Sequence, residues 1–271
     1  MAGINDLNNV SWQLSIADLQ HSDKEYHRAH GRNPEVGLLV EEDIWLPGGK
    51  EVLSEFPAVI YASCENASAT VQVMLVDGLG PTWKQQYGLV TLNGQNQVAV
   101  TDMQGAPTTW TRIFKAYQRS GTPDPVEPVW FAEADTLTLG VPDTAAKVHS
   151  KIEYTDAAQQ TEACMFTIPS GKVGYITQFT ANMLQGSVGP ARDVDIGIEI
   201  QELAFGASLS APVWAPWRRI GQTAVGTGQS HAQERFEFPE RVAELTNISI
   251  RAKASSVSAV FASFTVLLID E

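Results

Sequence analysis

Five residues near the N-terminus, His21, Asp23, Glu25, His27 and His30, form the densest group of side chains that could ligate a metal. On a helix, His27 and His30 would share one face because they are three residues apart. A metal site also needs fixed geometry and outer hydrogen bonds that orient its ligands. The stretch Gln20 to Asn33 is almost wholly polar or charged, so it reads as a solvated charged face, and no metal or other cofactor is expected. His149 and His231 stand alone. No Gly-x-Ser-x-Gly motif occurs, and neither cysteine has an activating context. Asp77-Gly78-Leu79-Gly80 lacks the third glycine and the following helix of a dinucleotide fold, and no phosphate-binding loop precedes Gly171-Lys172. Acids are too abundant for any pair to stand out as a glycosidase dyad. The chain is therefore not expected to be an enzyme.

Two groups remain as candidates for contact rather than catalysis. Trp214-Ala-Pro-Trp217-Arg218-Arg219 could stack on a sugar ring or a base. The plainer reading opens a strand at Trp214 and lays Arg218 over it or against an acid, so structural or subunit contact ranks above ligand binding. The second group, Trp12, Tyr26, Arg28 and Arg32, lies in residues 1–50, which read as an N-terminal arm or extended segment that becomes ordered against a partner. A short helix from Ser15 or Asp18 to about His30 fits there, with Asp18 as its cap.

The elements that would position these residues are strands. Asp193 to Glu202 alternates polar and apolar, with only Gly197 off pattern. That periodicity predicts a strand with one buried and one wet face, as in an antiparallel sheet. Similar segments recur from Phe56 to Ile269. Asn93-Gly94 predicts a hairpin between Tyr87–Leu92 and Gln97–Thr101. The last strand, Ser258 to Ile269, is apolar on both faces near its end and is expected at the centre of a sheet. The fold class that follows is all-β: two antiparallel β-sandwich or jelly-roll-like domains, 51–148 and 149–271, preceded by the arm. The boundary is expected between Lys147 and Gln160, where apolar residues thin out.

At 271 residues, with 44% hydrophobic and 18% charged, the chain can bury two such cores. It carries 18 Lys+Arg against 31 Asp+Glu, a net charge of −13, which disfavours direct binding along nucleic acid. No apolar run of membrane-spanning length occurs, and Met1-Ala-Gly-Ile-Asn-Asp lacks the regions of a signal peptide. Cys64 and Cys164 sit in or beside apolar runs and are expected as buried free thiols made in a reducing compartment.

Three segments, in order, carry a resemblance. They are Val71 to Gly94, which contains Asp77-Gly-Leu-Gly-Pro-Thr-Trp83 and Leu92-Asn93-Gly94, then Phe166 to Thr177 with the turn Pro169-Ser170-Gly171-Lys172, then Val260 to Asp270. Together they resemble a group of virion structural proteins of tailed bacteriophages, many from marine and cyanobacterial hosts. Gln86-Tyr87-Gly88 departs from the acidic-threonine stretch usual in that group before Leu89. The resemblance spans about residues 65 to 271. It implies a particle component located in the virion, foremost a capsid decoration or cement protein bridging shell subunits. It implies as partners the phage major capsid protein or other virion proteins, with a homo-oligomer expected and no membrane. The alternatives are a neck, tail or fibre component, or a glycan-binding β-sandwich module.

Overall fold

The computed structural model describes residues 24–51, 53, 56–121, 127–153, 160–184, 193–204, 207, 209, 212–226 and 231–271. The chain is all-β, as the alternation predicts, and its strands form two sandwiches. In the first, one sheet has the order β1 (Lys24–Val36), β19 (Ser258–Asp270), β14 (Lys172–Leu184), β17 (His231–Val242). The facing sheet has the order β13 (Met165–Thr167), β18 (Asn247–Ala254), β15 (Val194–Gln201), β16 (Arg218–Val225), and β2 (Glu41–Asp43) also pairs with β18. Val194, Ile196, Ile198 and Ile200 of β15 meet Val260, Phe264 and Val266 of β19 in one core.

The second sandwich is inserted between β2 and β13. Its sheets have the orders β12 (Val148–Ile152), β9 (Val129–Glu133), β3 (Ile60–Cys64), β6 (Val98–Ala99), and β7 (Thr101–Asp102), β5 (Gln85–Thr91), β4 (Val73–Leu79), β8 (Arg112–Ser120). A small hairpin of β10 (Leu137–Thr138) and β11 (Val141–Pro142) lies beside them. Ile60, Met74, Trp110 and Phe131 centre this second core.

Residues 1–50, expected as one arm, are not uniform. Residues 1–23, with His21, Asp23 and Trp12, lie outside the described residues. From Lys24 the chain is strand, so the helix expected to reach His30 is absent over residues 24–30. β1 pairs with β19 from Lys24↔Ile269 to Asn33↔Val260, and β2 pairs with β18. The alternation of β1 is hard to read because its inward positions include His27, Gly31 and Asn33, which carry no apolar signal. The return to the first sandwich follows β12, so residues 149–152 belong with the inserted sandwich. The Asn93 hairpin closes through an Asn93↔Asn96 bridge. Its second arm then divides, β6 joining β3 and β7 joining β5. β19 sits between β1 and β14, as its two-sided hydrophobicity predicts. Cys64 and Cys164 are free, buried, and in different cores.

Residues directly opposite in antiparallel strands share a face. The outward face of the β1–β19–β14–β17 sheet therefore carries four rows. They are Tyr26–Leu267–Tyr175–Arg241, Arg28–Thr265–Gln178–Arg235, His30–Ser263–Thr180–Gln233 and Arg32–Phe261–Asn182–His231. Side-chain contacts agree with the register: Tyr26 Oη lies 3.2 Å from Thr265 Oγ1, and Arg28 Nη2 donates to Ser263 Oγ at 3.3 Å.

The two sandwiches are joined by packing as well as by the chain. A register shift between Asp77 and Gly78 in the β4–β8 ladder accompanies the turning of Phe114 toward the first core. Phe114 packs on Phe166 with ring centroids 4.4 Å apart, and His27 stacks on Phe166 at 4.0 Å. Thr161 N–H donates to Ala116 O at 2.8 Å, and Ser170 N–H donates to Trp83 O at 2.9 Å.

Gly31 lies where β1 crosses two backbones. A Cβ there would stand 2.3 Å from Ile44 O and 2.4 Å from Cys164 N. The Gly31→Ala variant is expected to lose roughly 2–4 kcal/mol of stability through this backbone clash. Chemical denaturation checks it; an unchanged midpoint would show that β1 does not sit as described.

Candidate interaction sites

The four residues of the Trp214–Arg219 string are neighbours in sequence but serve different places. Trp214 faces the junction, 5.7 Å from the ring of Trp83, and the Arg112 guanidinium lies 5.1 Å from Trp83 and 6.0 Å from Trp214. Cation–π contacts of this kind gain strength where water is excluded. Trp214 thus makes its contacts within the chain, and the cation beside it is Arg112, not Arg218. The strand expected to open at Trp214 begins only at Arg218; Trp214 makes an isolated bridge to Leu203. Arg218 is exposed and reaches Glu240 of β17 at 3.7 Å, across the side where the two sheets meet.

Trp217 and Arg219 belong to an ionic ladder on the polar face of the second sheet. Asp43 Oδ1 accepts from Arg251 Nε at 2.9 Å and from Ser249 Oγ at 2.7 Å. Arg251 Nη1 donates to Glu199 Oε2 at 3.1 Å. Glu199 Oε1 accepts from Arg219 Nε at 3.0 Å, and Arg219 continues to Glu41 at 2.7 Å and Asp195 at 3.3 Å. The ring of Trp217 covers the Arg251 guanidinium at 4.1 Å. Gly197 breaks the alternation of β15 for a steric reason: a Cβ there would lie 2.4 Å from Arg219 Nε. The face expected to be wet is therefore partly dry, with Glu199 only 6% exposed. Donors and acceptors are committed to one another, and the ladder clamps β2 onto β18. Nothing in the sequence around Glu199 announces it, because its arginine partners are 20 and 52 residues away.

Glu51 borders the same ladder. Its N–H donates to Asp43 Oδ2 at 2.9 Å. Burial, then the Asp43 charge, raises its pKa from 4.5 to about 8, against the opposing pull of Arg112. His27 is shifted the other way, from 6.5 to about 4, by burial and then by Lys115 and His30. His27 stacks on Phe166 and His30 contacts Gln160, so neither belongs to a solvated charged face. Among the described residues no group of three His, Cys, Asp or Glu is placed to hold a metal ion. Burial raises the pKa of both thiols, Cys164 the more strongly, which suppresses thiolate chemistry.

Of the residues assigned to a docking arm, Tyr26, Arg28 and Arg32 stand on the outward face of β1. Arg32 Nε pairs with Glu162 at 3.2 Å and its guanidinium lies 5.7 Å from the Phe261 ring. The three share one face of a strand that belongs to the first sandwich.

No known protein family matches this chain, and no curated protein does. Among solved structures, one described as "CBM4 structure and function" is similar at 15% identity, covering 52% of this chain and 69% of that one, with a TM-score of 0.21. The structure of infectious bursal disease virus Gt strain is similar at 6% identity over 90% of this chain and 75% of that one, TM-score 0.21. The infectious bursal disease virus VP2 subviral particle follows at 7%, 92% and 76%, TM-score 0.14. Overlaps this loose carry no argument about function.

Arg251→Met leaves Asp43 without its buried partner and strips Glu199 of one of two. A loss of about 3–5 kcal/mol is expected, against no more than about 0.5 kcal/mol for Arg218→Ala on its exposed pair. Equal effects in urea melts would refute the ladder's role. Glu51 gives a pH test. Between its ordinary 4.5 and about 8 the folded chain holds a proton that the unfolded chain has released, so stability falls as pH rises through that window. Glu51→Gln should therefore gain on the parent progressively from the acid to the alkaline end of the window, read from urea midpoints; a pH-independent difference would contradict the assignment.

Proposed function

We propose that this chain is a structural component of a tailed-bacteriophage particle, a capsid decoration or cement protein that bridges neighbouring shell subunits from outside. The observation that carries the reading is an apolar tip at one pole of the first sandwich. Leu38, Leu39 and Val40 follow one another and are 56%, 65% and 54% exposed. The tip is pinned: Leu38 bridges Ala254, and Leu39 N–H donates to Ala254 O at 2.9 Å. Val257, 48% exposed, lies three residues beyond Ala254 in the β18–β19 turn. Leu39 has φ of 57°, a left-handed conformation that costs a non-glycine residue about 1–3 kcal/mol. A strained, held and solvent-facing apolar turn suits burial against another protein.

The resemblance of the Val71–Gly94, Phe166–Thr177 and Val260–Asp270 segments supports the same reading, and so does the rigid two-sandwich architecture. Burying each tip side chain contributes on the order of 1 kcal/mol. Such weak contacts become effective when repeated over a lattice of subunits. A shell that binds this chain only when assembled is stabilised by mass action. A glycan-binding role for Trp214 and Trp217 has less support, since their rings already face Trp83, Arg112 and Arg251.

Quantitative mass spectrometry of purified particles tests the proposal. A copy number comparable with that of the shell subunit is expected. A few copies per particle would favour the neck, tail or fibre instead, and absence from particles would overturn the reading. Replacing Leu38, Leu39 and Val40 by serine should abolish attachment to shells while leaving the thermal melt unchanged.

A further inference from the structure

The outward face of the β1–β19–β14–β17 sheet has a composition unlike the rest of the molecule. The chain as a whole carries 31 acids and 18 Lys+Arg. The four rows of this face hold four arginines and two histidines, and no Asp or Glu. The arginines stand only on the two edge strands, Arg28 and Arg32 on β1, Arg235 and Arg241 on β17. Among the described side chains, the acids paired with these arginines stand at the rim, Glu162 with Arg32 at 3.2 Å and Glu271 with Arg241 at 3.5 Å. Arg28 has a hydroxyl for its hydrogen-bond partner, and Arg235 is exposed opposite Gln178. Arg28 and Arg235 are thus exposed cations with no ion pair among the described residues.

Between the two rails the platform is uncharged and hydrogen-bonding. Gln233 Nε2 donates to Gln178 Oε1 at 3.2 Å, and Thr180 Oγ1 lies 2.8 Å from Ser263 Oγ. Three strand spacings separate Arg28 from Arg235, about 14 Å at the backbone, and Arg28 to Arg32 spans about 13 Å along β1. Protein interfaces concentrate apolar side chains at their centre and charge at the rim. Here the centre is largely amides and hydroxyls, which match a polyhydroxylated ligand better than another protein. Tyr26 and Tyr175, in the end row, add aromatic faces. The net charge of −13 does not cancel the rails locally. The facing sheet lies about 10 Å behind, and the carboxylates of its ladder are already paired with Arg251 and Arg219.

We infer that this face binds an acidic polysaccharide chain laid across the strands, its carboxylate or sulfate groups taken by Arg28 and Arg235, which share one row, and its hydroxyls by Gln178, Thr180 and Gln233, since Thr265 and Ser263 are buried. The inference is independent of the virion proposal and concerns a different surface from the Leu38–Val40 tip.

Full-length protein tests it by calorimetric titration against alginate, neutral dextran, polyglutamate and oligothymidylate. Alginate is expected to bind, and to weaken by about tenfold or more between about 50 mM and about 200 mM salt. Dextran, polyglutamate and oligothymidylate are each expected to bind at least about tenfold more weakly than alginate at the lower salt. The double variant Arg28→Gln, Arg235→Gln should lose about tenfold or more in alginate affinity with an unchanged melt, while Lys84→Gln, Arg218→Gln, the same loss of two exposed positive charges elsewhere, should not. Should the double variant melt early, amide exchange of the wild-type protein decides, with added alginate expected to protect β1 and β17. No alginate binding at low salt, full affinity in the folded double variant, protection elsewhere, or tighter binding of polyglutamate or oligothymidylate would each overturn the inference. So would a wild-type dimer that the double variant abolishes, which would mark the face as a contact between copies.

Discussion

The pairing of β1 with β19 is the constraint on which the architecture rests. It brings the first described residues against the last, Lys24 opposite Ile269, and so forces everything between β2 and β13 to leave the first sandwich and come back. Without β1, the edge of β19 would be an open row of backbone donors and acceptors, which proteins avoid because it recruits other strands. The same pairing turns a polar N-terminal stretch into a fixed face. Tyr26, Arg28 and Arg32 can act on a ligand as a set only because a strand holds them in register.

Two further interactions keep the halves in place, and they differ in kind. At the junction, apolar and aromatic rings from both sandwiches interlock around Phe166, and Arg112 lies over Trp83 beside Trp214. On the polar face of the second sheet, carboxylates and guanidiniums alternate from Asp43 to Arg219. The first contributes mainly through removal of apolar surface from water. The second contributes less net energy than its contacts suggest, because ions resist desolvation. Its effect is on geometry: it leaves β2 one place to dock.

Much of this was legible in the sequence, and the failures have physical causes. The alternation of β15 and the two-sided hydrophobicity of β19 fix the class and the central strand, since each strand carries its own apolar signal. β1 and β12 give no such signal. Their ladder positions include Gly31, Asn33, His149 and Ser150, all enclosed though none is apolar, because the surrounding strands supply their partners. The Trp214–Arg219 string shows a second limit. Composition identifies residues suited to contact, yet consecutive side chains in extended backbone point to opposite sides, so Trp214 and Arg219 end in separate environments. Pairings between distant residues, such as Glu199 with Arg251, are decided by register and are invisible to local pattern.

The inserted topology also orders events during synthesis. All strands of the inner sandwich, β3 to β12, lie between Ile60 and Ile152, so that body can close while the ribosome is still at work. The outer one cannot, because β1 has no ladder partner until β19 leaves the exit tunnel. For most of translation an early strand must wait, unpaired, beside a finished domain. Slow long-range closure of this kind is where sheet proteins meet aggregation. The charged and polar make-up of Lys24 to Asn33, puzzling for a strand, is the composition that least invites such association.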